Sequence, residues 1–241
     1  MRIFKTIVAA AAAMFAVPAV ASVQITGAQY TPTEIFGGID VASLMIHEGG
    51  TTGRFTLTGF DNDTNKPLSF SSYCLDLTTA LFTFVDFQIK PISTFFSDVT
   101  KQTQIAGLLV NADPLIALAN SDLEKQQIAA SIGLAVWEIV YETGNSGYTV
   151  GTGNFSVFGD FLALQSRADG YLANVVDGSW AASASRVSTL IANRDGGALS
   201  QDQIYLSAVP EPATWLTMIL GFAGIGFAAR NARQKKLALT A

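Results

Sequence analysis

The hydrophobic period changes once along this chain, near residue 100, and that change limits the folds open to it. Before it, Val23-Gln-Ile25-Thr, Arg54-Phe55-Thr-Leu57-Thr and Phe82-Thr-Phe84-Val-Asp-Phe87-Gln-Ile89 alternate or nearly alternate, with Gly-Gly and Asp-Asn-Asp turns between them. Strands with one buried face read this way. After it, Thr100–Asn111 suits a helix, and Ser121-Asp-Leu-Glu124 is a capping box that opens a longer one, Asp122 to about Tyr141. In that second helix Ile128, Ile132, Val136, Ile139 and Val140 fall on one face. Phe158–Val176 suits a third helix and Gln203–Ser207 a last strand. The expectation is an α+β fold: an antiparallel β-rich N-terminal part packed on one face, a helical part following it, and a single C-terminal transmembrane helix.

Two segments lie outside that body. Residues 1–21 hold Arg2 and Lys5, an apolar run from Ile7 to Val17, then Pro18 and the small-x-small triplet Ala19-Val20-Ala21. This is the layout of a secretory signal peptide, cut by signal peptidase before Ser22. Its apolar run of about 11 residues is too short to cross ~30 Å of hydrocarbon. At the other end Pro210-Glu211-Pro212 and Trp215 precede Arg230, Arg233, Lys235 and Lys236, with Ala213–Ala229 uncharged. At 1.5 Å per residue that stretch rises ~25 Å, the short end of a spanning helix. Trp215 suits one interface, and the basic cluster belongs in the cytoplasm by the positive-inside rule, which places residues 22–209 outside.

Charge and cysteine usage narrow what this body does. It carries 8 Lys and Arg against 18 Asp and Glu, a field opposite to the one phosphate binding needs, so no nucleic-acid partner is expected. Cys74 is the single cysteine, so no disulfide forms within the chain. For an exported protein that leaves a buried inert thiol, a bridge to another chain, or a reactive group.

Pro210-Glu211-Pro212, Trp215, Met218, Gly221-Phe222, Gly224, Gly226 and the tail with Arg230 and Arg233 together resemble the PEP-CTERM sorting signal of Gram-negative exopolysaccharide producers. The resemblance, over residues 210–236, implies recognition by exosortase, a membrane-embedded cysteine protease. After a transient stay in the inner membrane the chain would be cut near the Pro-Glu-Pro and the body delivered to the cell surface or matrix. Asn231, Ala232 and Gln234 dilute the usual arginine run. Such a signal is an address and is silent on what the body does.

Inside the body, Tyr73-Cys74-Leu75-Asp76 and Ile132-Gly133-Leu134-Ala135-Val136-Trp137 resemble the two signatures of the Cys-Gln thioester domains of bacterial surface adhesins. Those are an aromatic-Cys-apolar-acid tetrad and an apolar-Gln-x-x-apolar-Trp helix, and the likeness runs on through Glu138-Ile139-Val140-Tyr141-Glu142. The resemblance implies that a thiolate displaces ammonia from a glutamine carboxamide. The internal thioester then acylates an amine or hydroxyl on a host or matrix partner. Cys74 is present, but the position four before Trp137, where the family has its glutamine, is Gly133, which has no acyl carbon. Gln126 lies seven residues earlier, ~10 Å along the axis, and Gln127 is rotated about 240° round the helix. The expectation is a thioester-like fold in which Cys74, Gly133 and Trp137 mark a relic site with a free, protected thiol.

Other candidates carry less. Asp61-Asn-Asp63-Thr-Asn65 opens like a calcium loop, yet Lys66 and Ser72 stand where the glycine and the bidentate glutamate belong, so an acidic hairpin turn is expected. His47, the only histidine, precedes Glu48-Gly49-Gly50 in an expected solvated turn. There is no phosphate loop and no Cys/His cluster, so no cofactor or metal is expected. Glu138 and Glu142 are helical neighbours, one beside Trp137 and one at the helix end, and do not make a glycosidase pair. The chain thus reads as a non-enzymatic surface or extracellular-matrix protein, structural or adhesive, associated with exopolysaccharide, a matrix protein or biofilm. A covalent adhesin using Cys74 is the first alternative, and a secreted hydrolase or sugar-binding protein the second.

Overall fold

The computed structural model describes residues 22–145, 147–192, 200–207, 221–223 and 225. Among these described residues, nine strands and three α-helices follow in order. The strands before the helices are β1 (Ser22–Tyr30), β2 (Ile35–Val41), β3 (Ile46–Thr52), β4 (Phe55–Asp61), β5 (Pro67–Cys74) and β6 (Val85–Pro91). Then come α1 (Val99–Leu118), α2 (Asp122–Tyr141), β7 (Phe155–Phe158), α3 (Gln165–Val176), β8 (Val187–Ala192) and β9 (Gln203–Leu206).

The fold is α+β with its strands richest at the N-terminal side, but the expected one-faced sheet is a closed antiparallel barrel in the order β1-β4-β5-β9-β8-β6. A second sheet, β3-β2-β7, lies apart from it. Closure depends on β8 and β9, which return after the helices to fill the gap between β5 and β6. The expected order of strands first and helices after therefore holds only for the first six strands. The register fixes one inward face. Leu57 pairs Phe70, Ser72 pairs Tyr205, Cys74 pairs Gln203, Gln203 pairs Leu190 and Phe87 pairs Val23. Since alternate residues of a strand share a face, Cys74 and Gln203 point the same way as Leu57, Phe87, Leu190 and Val23, which are fully buried.

The helices close the other side. Asp98 caps α1, its side chain accepting from the Thr100 and Lys101 amides. This helix runs past the expected end at Asn111 and through Pro114 to Leu118, because packing against α2, α3 and the barrel outweighs one lost backbone bond. Helix α2 has the bounds its sequence announces. Ser121 Oγ accepts from the Glu124 amide at 3.2 Å, while Glu124 reaches back to the Asn120 amide at 3.0 Å, one residue earlier than a standard capping box. Every residue of α2 from Ile128 to Ile139 is buried. The single apolar face read from the sequence is part of a helix enclosed by α1, α3 and strands of both sheets.

The remaining differences are local. The strand expected at residues 82–89 begins at Val85. The helix expected from Phe158 starts as a 3-10 turn, Gly159–Leu164, after strand β7 has taken Phe158. The last strand ends one residue early, at Leu206. Among the described residues no helix is long and apolar enough to cross a membrane. The spanning segment expected at 213–229 lies mostly outside the described residues, as do the signal peptide at 1–21 and the sorting residues Pro210, Glu211, Pro212, Trp215, Arg230 and Arg233.

Candidate functional site

The β5–β9 pairing carries the chemistry. Cys74 ends β5 opposite Gln203, and the ladder continues one step further where the Leu75 amide donates to the Asp202 carbonyl at 2.9 Å. Gln201 therefore lies on the same face as Gln203, two residues away. The Cys74 thiol donates to Gln201 Oε1 at 2.7 Å, and Gln203 Nε2 stands 3.5 Å from the sulfur. With a C=O length of ~1.2 Å, the acyl carbon of Gln201 lies within about 4 Å of Sγ.

Neighbouring groups fix both amides. Gln201 Nε2 donates to the Asp76 carbonyl at 2.6 Å. A backbone carbonyl only accepts, so Oε1 is the end turned toward the thiol. Gln203 Oε1 accepts from Ser72 Oγ at 3.1 Å, which turns its Nε2 toward Gln201 Oε1, 3.3 Å away. Asp76 holds the strand ends, accepting from the Asp202 amide at 2.8 Å and the Thr79 amide at 3.0 Å.

The thiol is the wall of an open cavity of about 520 Å³, lined also by Gln201, Trp137, Glu48, Tyr30 and Phe82. Cys74 is 7% exposed. Burial, above all, pushes its thiol up to about 12; the Gln203 hydrogen bond opposes that, and the nearby Asp76 carboxyl adds to it. At neutral pH the group is a thiol, and any acyl transfer has to move its proton.

The three residues singled out in the sequence part company here. Cys74 and Trp137 line the same cavity. Gly133 stands elsewhere on α2, packed so tightly on β3 that a Cβ there would run into Thr52 Oγ1. Its missing side chain permits a close helix-strand approach, and the thiol's amide partners come from the last strand and the residues leading into it, not from the helix. No local signal marks Gln201 and Gln203, since two glutamines opening a short strand are ordinary text. Only the register shows them.

The lesser candidates settle into structural roles. His47 is in strand β3, not a turn, because Asp40↔His47 pairing extends the β2–β3 ladder through it. Its exposed ring donates from Nδ1 to the Asp40 carboxylate at 3.2 Å and stacks on Phe158 at 4.5 Å. Asp61 accepts from the Asp63 and Thr64 amides and the Thr64 hydroxyl, forming the β4–β5 hairpin turn. Glu142 accepts from the Thr143 and Asn154 amides. Glu138, wholly buried, accepts from the Thr149 amide at 3.0 Å and has a second oxygen without a partner among the described residues. Burial drives its carboxyl up to about 8, with Glu142 and Asp169 adding to the rise and Lys101 opposing it.

Residues 208–234 match the PEP-CTERM protein-sorting motif. No curated protein and no solved structure matches the chain. The chain therefore carries a PEP-CTERM sorting signal, which marks it as an exported protein processed by exosortase at the membrane.

Proposed function

We propose that this is a surface or extracellular-matrix protein whose barrel carries an internal thioester between Cys74 and Gln201, and that it uses this bond once to attach itself covalently to a matrix component bearing amines or hydroxyls. One observation carries the reading: the 2.7 Å contact between the Cys74 thiol and the Gln201 amide oxygen at the wall of an open cavity. In forming the bond, Sγ joins the Gln201 acyl carbon and the bond from that carbon to Nε2 breaks. The thiol proton ends on the departing nitrogen as ammonia. An incoming amine then displaces the thiol, which takes one amine proton. Each molecule reacts once, so the protein is a self-attaching ligand and not an enzyme.

A second reading has its own support. A thiol 7% exposed with its pKa pushed up to about 12 is a poor nucleophile, and in that case the body is a noncovalent structural or adhesive module. Replacing Cys74 with serine separates the two. The thioester reading expects the wild-type protein in envelope material to carry adducts that survive boiling in detergent, and Cys74→Ser to abolish them at unchanged abundance. Adducts equally abundant in both proteins, or in neither, would favour the noncovalent module.

A further inference from the structure

We infer that Gln203 is the oxyanion donor for this acyl transfer, with Ser72 as the residue that positions it; the inference rests on the thioester reading of Cys74 and Gln201. Attack on an amide or a thioester carbon places negative charge on the carbonyl oxygen, here Gln201 Oε1. A donor fixed beforehand at that oxygen is worth more than one that must reorganise. Gln203 Nε2 is 3.3 Å from Gln201 Oε1 and 3.5 Å from Cys74 Sγ, so one amide group faces both the oxygen that gains charge and the sulfur that attacks, and later leaves, the acyl carbon.

The side chain is well placed to be rigid. Gln203 is fully buried, lies in register opposite Cys74, and has its own oxygen held by the equally buried Ser72 hydroxyl at 3.1 Å. Ser72 is two residues before Cys74 on the inward face of β5, so one strand supplies both the nucleophile and the group that orients the donor. The leaving nitrogen has a separate acceptor, the Asp76 carbonyl at 2.6 Å. The site thus presents a nucleophile, an acyl group, an oxyanion donor and a leaving-group acceptor from residues 72–76 and 201–203. When an amine attacks the thioester, its nitrogen bonds to the acyl carbon and the carbon-sulfur bond breaks. The oxygen passes through the same charged state before Gln203.

The test measures methylamine consumption by the exported, surface-recovered protein, followed by intact mass. Gln203→Met keeps the length and removes the donor; Ser72→Ala keeps the donor and frees its orientation. The wild type is expected to be lighter by one ammonia and to add methylamine. Gln203→Met should do so about 10–100-fold more slowly, and Ser72→Ala should show a smaller slowing. The readout that a packing role would not move is the infrared carbonyl stretch of the thioester. It should shift to higher frequency in Gln203→Met, where the oxygen has lost its hydrogen bond. A wild type with the thioester, whose variants keep both its rate and its carbonyl frequency, overturns the assignment of Gln203 alone. A wild type of full amide mass sinks the thioester reading and this proposal with it. Should Gln203→Met fail to fold, Ser72→Ala decides, since an unchanged rate and frequency there contradict the positioning role.

Discussion

Glu138 is a buried carboxyl whose charge state bears on the stability of the body near neutral pH. Its carboxyl titrates near 8 in the folded chain against an ordinary value of 4.5, so the native state binds the proton more tightly than the unfolded chain does. Stability from this group is fully present below pH 4.5, declines as pH rises, and is lost above 8, a swing on the order of 3–5 kcal/mol. Glu138→Gln keeps an acceptor for the Thr149 amide and removes the titration. Thermal melts are expected to show the wild type losing stability between pH 5 and 9, relative to this variant, and matching curves would contradict the buried carboxyl. The residues nearest the chemistry were unevenly legible in the sequence. Cys74 and Trp137 stand out by motif and share a cavity. In the sequence Gly133 stands as a missing glutamine, whereas its neighbour is Thr52, and motif spacing along a helix says nothing of what a segment 127 residues away brings to the thiol.

At the scale of elements, a half-buried polar cluster joins helix α1 to the barrel. Tyr73 donates to Asp113 at 2.7 Å, and Arg54 reaches both oxygens of the same carboxylate at 3.4 Å. Asp113→Ala leaves a buried hydroxyl and a guanidinium without their acceptor and should cost about 1–3 kcal/mol. Adding Tyr73→Phe should recover part of that loss, because the orphaned hydroxyl goes with it. Strictly additive denaturation energies in the two singles and the double would show that the pair does not couple helix to barrel. The elements themselves were readable where their signals are local. The Ser121 cap and the apolar run gave α2 its bounds, and the Asp61 turn gave the β4–β5 hairpin. Closure of the barrel was not readable. It rests on β1–β6 and β5–β9 pairs far apart in sequence; the last strand is legible at Gln203–Ser207, but β8 is not, and neither pairing partner is written in the local text.

For the whole molecule, the proposed function has the address and the body act in sequence: the sorting signal takes the protein to exosortase at the membrane, and the Cys74 site would then fix it where it arrives. Changing Pro210-Glu211-Pro212 to alanines leaves the hydropathy of the following segment intact. That variant should be held in the inner membrane with its body outside, and its appearance in the medium at the wild-type level would refute the role given to the motif. The central claim concerns the bond between Cys74 and Gln201, and intact mass of the surface-recovered protein tests it most directly. The account predicts a chain beginning at Ser22, ending near Pro210–Pro212, lighter than its sequence by one ammonia, with Cys74 unreactive to thiol reagents even when denatured until methylamine frees it. A chain of full amide mass, unchanged by methylamine and with Cys74 labelled on unfolding, would contradict it.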